Sequence, residues 1–271
     1  MSTITCLLPN GLEAFGLSQA DTAIVYEEIF VNDCYLQEGI SLHDGDTVLD
    51  IGANTGMFLL RLNASRKKLN VFSFEPIPAI HAALRENAQR CTNLSVTTEQ
   101  VGLSRQAGEA TFTFFPTVSC TSTMFPIDGA EERKRARDFI ISQFEKQPWI
   151  VRNFLRLVPA KIQTGIAELV RRFYSQRQVI RCPLTTLSEV IRRHKLTKID
   201  LLKMDTERAE QEILAGIEAQ DWPKIRQIAM EVHDGDGPLK AVKNLLESHG
   251  FRVTVQQDEL LSYNHMLYAR R

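Results

Sequence analysis

The chain has 271 residues, 44% hydrophobic and 24% charged, with 32 Lys and Arg against 33 Asp and Glu. That balance builds a full-sized globular core and excludes a disordered, collagenous or disulfide-stapled chain, while a net charge of -1 argues against a dedicated nucleic-acid binder, which needs a basic excess over the domain or on one face. Five cysteines at irregular spacings with no C-x-x-C pair give neither a disulfide framework nor a zinc site and point to a reducing compartment; no run approaches the ~18 apolar residues of a membrane span, so the expected location is the cytoplasm, away from membranes.

In chain order, residues 20–30 carry Ile24, Tyr26 and Phe30 at helical spacing, and residues 1–45 are read as an N-terminal helical lid across the mouth of a core that occupies 46–271. Residues 47–52 read as a short buried strand running into a glycine turn, and 57–62 as the start of a helix. A second strand at 71–75, a helix at 79–89 with Ile80, Leu84 and Ala88 on one face, and a third strand at 94–98 follow. Residues 110–115 alternate as a strand, paired in a hairpin with the segment around Val101 through the turn residues Gln106, Ala107 and Gly108. Residues 116–129 form a polar, hydroxyl-rich loop, and 131–181 are mainly helical in character, so about 125–181 is read as an inserted cap. Alternation resumes with a strand at 199–204, a helix at 207–217, a strand at 227–232, a helix at 238–249 and two closing strands, 252–256 and 263–269, joined around Asp258. This pattern predicts an α/β protein with a mainly parallel sheet, covered on both faces and ending in an antiparallel edge hairpin.

Asp50, Gly52, Asn54 and Gly56 form D-I-G-A-N-T-G directly after a strand and before a helix, where open α/β sheets take ligands at the carboxyl ends of their strands. Glu75 follows Gly52 by 23 residues, near the ~20-residue spacing at which an acid accepts both hydroxyls of a ribose. The bland alternative is that the glycines only make a tight connection. A dinucleotide site would want G-x-G-x-x-G, but Asn54 stands third and no glycine follows Gly56 in the helix start, so a pyrophosphate would lack its close approach. A ligand with ribose and adenine but no phosphate fits better, and S-adenosylmethionine is such a ligand.

D-I-G-A-N-T-G, F-E-P-I-P at 74–78, L-L-K-M-D-T-E at 201–207 and E-V-H-D at 231–234 resemble, in that order, the motifs of FkbM-type methyltransferases, over about residues 26–271. Y-E-E-I-F at 26–30 and Y-L-Q-E-G-I at 35–40 are similar to the form found with polyketide and nonribosomal peptide assembly lines. The resemblance implies a Rossmann-like class I methyltransferase fold with a seven-stranded sheet, plus the N-terminal helix and helical insertion. It implies Asp50, Gly52, Asn54 and Gly56 around the methionine part of S-adenosylmethionine and Glu75 on its ribose, with Tyr26 and Pro76 in motifs that border the cofactor. Where many relatives have V-E-G-x-E, this chain has Thr206, Glu207, Arg208, Ala209, Glu210, so a glycine is replaced and the helix start is expected to differ.

A hydroxyl attacks a sulfonium methyl poorly while it keeps its proton, so O-methylation gains from a positioned base, typically by ~10²- to 10⁴-fold. His233, just past a strand at the same sheet edge as the glycine turn, is the expected base; Glu207, ending the neighbouring strand, is its expected orienter. Asp205 is expected to face the methionine end. The open alternatives are a solvated loop histidine, an acid favoured in a first helical turn, or a divalent-cation site of Glu231, Asp205, His233 and Asp234; the resemblance implies no metal.

Residues 131–181 carry twelve Lys and Arg against five Asp and Glu. A local excess of that sign steers acidic partners, and carrier proteins are acidic, so an acyl or peptidyl carrier bearing the substrate is the expected partner; the alternative is a solvated helical face. The expected activity is O-methylation of a hydroxyl on a carrier-bound polyketide or peptide intermediate. The runners-up are a methyltransferase for a free sugar or small-molecule alcohol and a non-catalytic S-adenosylmethionine- or nucleotide-binding module.

Overall fold

The computed structural model describes residues 3–126, 177–233, 237–257 and 264–271. The chain opens with an antiparallel hairpin, β1 (Ile4–Leu7) against β2 (Glu13–Gly16), before α1 (Gln19–Tyr26), which runs on as a π turn over Glu27–Val31. The N-terminal region is therefore strand before helix. Cys6 and Ala14 are fully buried between more exposed neighbours, a two-residue period too short to stand out beside the helix that follows. Ser18 caps α1 by accepting a hydrogen bond from the Asp21 amide at 3.1 Å.

The next five elements lie where the sequence puts them: β3 (Thr47–Ile51), α2 (Met57–Ala64), β4 (Leu69–Phe74), α3 (Pro78–Gln89) and β5 (Leu94–Glu99). Pro78 opens α3, the position where its missing N–H costs nothing. Beyond them the expected hairpin is not formed. β6 (Gly102–Leu103) and β7 (Gly108–Phe114) are separated by β8 (Gln178–Thr185), which returns from beyond the insertion to pair parallel with the first and antiparallel with the second. The helical reading of 131–181 accordingly stops before Gln178; residues 127–176 lie outside the described residues.

A further helix that the sequence reading passed over, α4 (Leu187–Arg193), starts on a capping box: Thr186 Oγ1 accepts from the Glu189 amide at 3.1 Å and the Glu189 carboxylate from the Thr186 amide at 3.3 Å. Then come β9 (Leu201–Met204), α5 (Glu210–Ala215), β10 (Gln227–His233), α6 (Pro238–Ser248), β11 (Arg252–Gln257) and β12 (Asn264–Arg270). Among the described residues the main sheet has seven strands in the order β11-β12-β10-β9-β3-β4-β5. β12 runs antiparallel between β10 and β11, which is the expected edge pair; its connection around Asp258 lies outside the described residues. The rest of the sheet is parallel, and the whole is a Rossmann-like α/β fold.

Alternation along the central strands fills both faces. Leu49, Ile51, Leu202, Met204, Ile228 and Met230 pack with α4, α5 and α6 on one side, while Val48, Leu201 and Ala229 pack with α2 and the π turn on the other. Each of these side chains larger than alanine contributes about 1.5–3 kcal/mol by leaving water. The second face also holds two charged residues. Asp50 on β3 and Lys203 on β9 are register partners, and neighbouring parallel strands set register partners on the same face, so the pairing forces an acid and a base together inside the apolar layer.

Candidate active site

The glycine turn is shaped by a close approach. Gly52 leaves β3 at φ +70°, and a Cβ there would stand 1.9 Å from the carbonyl oxygen of Asp205. Only glycine lets the turn nest against the end of β9. The Gly52 and Ala53 amides both donate to Phe74 O, at 3.1 and 3.0 Å, and the Asp205 amide donates to Ile51 O at 3.0 Å, so the ends of β3, β4 and β9 are held as one unit. Glu75 follows directly on β4; it is buried, and its Oε1 accepts from the Ile77 amide at 2.9 Å.

These strand ends border a cleft. Gly52, Asn54, Glu75, Pro76, Asp205 and Glu207 stand in its wall. Four other expected residues do not, the expected base His233 among them. Tyr26 is buried and stacks on Phe30, ring centroids 5.1 Å apart; Gly56, at φ +87°, shapes the start of α2 beside Leu84; and Asp50 lies fully buried beneath the turn.

Asp50 is paired with Lys203, which sequence reasoning missed. The Lys203 ammonium lies 3.1 Å from Asp50 Oδ1 and 3.6 Å from Asp205 Oδ2, and it donates to Gly52 O at 2.9 Å. It also sits over the rings of Tyr35 and Phe58, at 5.0 and 6.0 Å, a favourable place for a cation. Burial works against its charge, but Asp50 and Asp205 outweigh burial and hold the ammonium above its usual range. A signal was present in the sequence: a lysine inside the apolar run L-L-K-M demands a buried partner.

Sequence reasoning also missed the far wall. Ile77, Ile80, Leu103 and Phe112 make it apolar, and Ser119 and Cys120 close it. Ser119 Oγ donates to Asp21 Oδ2 of α1 at 2.6 Å and lies 3.2 Å from Asn54 Oδ1, so the N-terminal helix is tied to the glycine turn through one hydroxyl. Burial pushes the Asp21 carboxyl up to about 6, against the pull of hydrogen bonds from Ser119 and Cys120.

His233 ends β10 with its ring buried between two carboxylates. Its Nδ1 is 2.8 Å from Glu210 Oε1 and its Nε2 is 3.1 Å from Glu207 Oε2. The expected orienter, Glu207, is thus only one of two partners; the deeper one, Glu210, three residues on, had been given no role by the sequence. Burial disfavours the charged ring, yet Glu207, Glu210 and Glu231 together raise the His233 pKa well above its usual value. Arg208 adopts φ +69°, the left-handed conformation natural to the glycine it replaces, and α5 starts at Glu210. Asp234 lies outside the described residues, and among those described no three His, Cys, Asp or Glu side chains are grouped to hold a metal ion.

Comparison with known proteins decides the family. The model described as "Methyltransferase FkbM domain" matches residues 50–253. The chain belongs to the FkbM methyltransferase family. It is 35% identical over 269 residues, 98% of this chain and 96% of the other, to the 31-O-demethyl-FK506 methyltransferase FkbM of Streptomyces tacrolimicus. It is also 35% identical over 260 residues to the AMB antimetabolite synthetase AmbE of Pseudomonas aeruginosa, covering 94% of this chain but 12% of that one. A solved structure, Aeropyrum pernix fibrillarin with natively bound S-adenosyl-L-methionine, aligns with a TM-score of 0.45 at 13% identity, over 89% of this chain and 74% of that one.

As a member of the FkbM family the chain is an S-adenosylmethionine-dependent methyltransferase, and its residues fit that cofactor. The crowded, Cβ-less turn leaves backbone for a ligand to touch, the apolar wall suits a flat ring, and the Glu75 carboxylate would offer acceptors to two ribose hydroxyls. Bound, the cofactor supplies an electrophilic methyl on a positive sulfur. Burial pushes the Glu75 carboxyl up to about 7, outweighing the Ile77 and Asn54 amides that lower it. Ribose hydroxyls donate to the ionised form, so binding selects it and affinity falls as protons refill the group. Between pH 8 and pH 6 calorimetry should find S-adenosylmethionine binding weakened by about tenfold, and Glu75→Gln should bind weakly with that dependence gone.

Proposed function

We propose that this FkbM-family enzyme methylates a hydroxyl group on an acyl or peptidyl intermediate presented by an acidic carrier protein in the cytoplasm. The observation that carries the O-methylation reading is the Glu207–His233 pair, 3.1 Å apart at the carboxyl end of the sheet, with Glu207 in the wall of the cleft beside Asp205. A group able to take a proton stands where an acceptor must meet the methyl. Asp205 faces the methionine end of the cofactor, and Asp50 reaches it only through Lys203 and the turn.

The carrier is supported by two facts of different kind. AmbE is named a synthetase, and this chain matches a small part of it. Residues 131–181 hold twelve basic against five acidic residues, an excess that in this reading draws in an acidic protein. Among the described residues no helix is long and apolar enough to cross a membrane. A second reading, a free small-molecule acceptor, is favoured by the match along 96% of a protein whose name gives O-demethyl-FK506 as what it methylates.

The test is the mass of products after incubation with S-adenosylmethionine and hydroxyl acceptors, carrier-loaded and free in parallel. One added methyl on the loaded acceptor, absent from the free one, is expected. A gain confined to the free acceptor rejects the carrier, and a gain confined to amines or carboxylates rejects O-methylation.

A further inference from the structure

The clamp around His233 has a consequence for which group meets the acceptor, given the O-methylation just proposed. A neutral imidazole carries one N–H and one lone pair. Here each ring nitrogen faces a carboxylate oxygen, Glu210 at 2.8 Å and Glu207 at 3.1 Å, and with both carboxylates ionised the two contacts are favourable together only when both nitrogens carry a proton. The ring then has no lone pair for an incoming hydroxyl. Its side chain is 4% exposed and Glu210's is 2%, whereas Glu207's is 28% exposed, and of the three only Glu207 stands in the cleft wall.

The backbone turn fixes this orientation. Thr123 Oγ1 donates to the Glu207 carbonyl at 2.7 Å, and Glu210 Oε1 accepts from the Arg208 amide at 3.2 Å as well as from His233. The left-handed Arg208 therefore separates two glutamates that a continuous helix would put on one face, turning one into the cleft and one under the ring.

We propose that Glu207 is the catalytic residue that takes the acceptor's proton, and that His233, anchored by Glu210, is the positioning cation that holds it. In the step, the acceptor O–H bond breaks and its proton passes to the Glu207 carboxylate. The oxygen's electron pair forms the bond to the methyl carbon, and the carbon–sulfur bond leaves its pair on sulfur, cancelling the sulfonium charge. His233 keeps both protons throughout. The proton on Glu207, whose side chain is part-exposed, then leaves to water.

Four variants, Glu207→Gln, His233→Gln, His233→Ala and Glu210→Gln, are compared with wild type for kcat, for S-adenosylmethionine affinity by calorimetry and for Tm. Glu207→Gln should lower kcat by about 10²- to 10⁴-fold with cofactor affinity and Tm nearly unchanged. The glutamine of His233→Gln still donates to Glu207, so it should keep kcat within about tenfold of wild type, while His233→Ala loses ~100-fold or more. Glu210→Gln should fall between them. If His233 were the base, His233→Gln would be as inactive as His233→Ala, and that result overturns the assignment, as does a Glu207→Gln enzyme with near-normal kcat. Wild-type turnover in the same assay separates the two levels. No transfer to any hydroxyl by wild type removes the O-methylation reading and this assignment with it, whereas normal wild-type transfer with unimpaired Glu207→Gln removes this assignment alone.

Discussion

Gly52→Ala should bind S-adenosylmethionine about a thousandfold more weakly than wild type, ~4 kcal/mol of binding free energy, in a protein that still folds. The cause is steric. The added Cβ would lie 1.9 Å from Asp205 O and 2.8 Å from Asp205 C, both backbone atoms that no rotamer change can move. Relief requires the turn to withdraw from β9, and the Asp205 amide bond to Ile51 O goes with it. Because Gly52 and Ala53 share the Phe74 carbonyl, the displacement passes to the end of β4 and shifts Glu75. The left-handed φ adds its own ~1–2 kcal/mol for alanine. Gly45→Ala separates the two causes: Gly45 has φ +88° and nothing within 4 Å of its would-be Cβ, so it carries the conformational cost alone and should leave affinity within a factor of two or so. Equal losses in the two variants, read by calorimetry, would mean that the approach to Asp205 is not what shapes the site.

The glycine turn was legible because its information is local. A buried strand, a turn, a helix and an acid one strand later lie within thirty residues, and each step constrains the next. β8 was not legible for the opposite reason. Gln106, Ala107 and Gly108 do form a turn signal, but the strand that fills the gap between β6 and β7 comes from beyond residue 176, and no local pattern announces a partner at that separation. The same limit applies within the site. Glu207 and His233 were found by their places at strand ends, but the division of labour between them depends on Glu210. Its position was obscured by expecting the helix to begin at Glu207; Arg208 lies in the left-handed region and the helix starts at Glu210.

Lys203→Met should cost about 3–5 kcal/mol of stability, the usual result of removing one partner of a buried ion pair, and lower Tm by roughly 10 °C at ~2–4 °C per kcal/mol for a chain of this size. Methionine fills most of the space, so lost packing is a small part of it. What remains is Asp50, 0% exposed, with Ser73 Oγ at 3.3 Å as its hydrogen-bond donor. In the variant Asp50 is protonated more readily than in the unfolded chain, so the penalty is full at high pH and shrinks as pH falls through its raised folded value. In wild type, Lys203 is held above its usual range, so its contribution is constant below that range and is lost only in strong alkali. Thermal melts at pH 8 and pH 5 should therefore show the gap between wild type and variant narrowing in acid. The double variant Lys203→Met with Asp50→Asn removes the stranded charge and should recover much of the stability, yet cofactor affinity should stay low, because Gly52 O and the Asp205 carboxylate still lack the ammonium that joins them to β3. Recovery of both together would mean that Lys203 serves the core alone; recovery of stability without affinity would show that one buried lysine both neutralises the interior acid and fixes the shape of the turn that meets the cofactor.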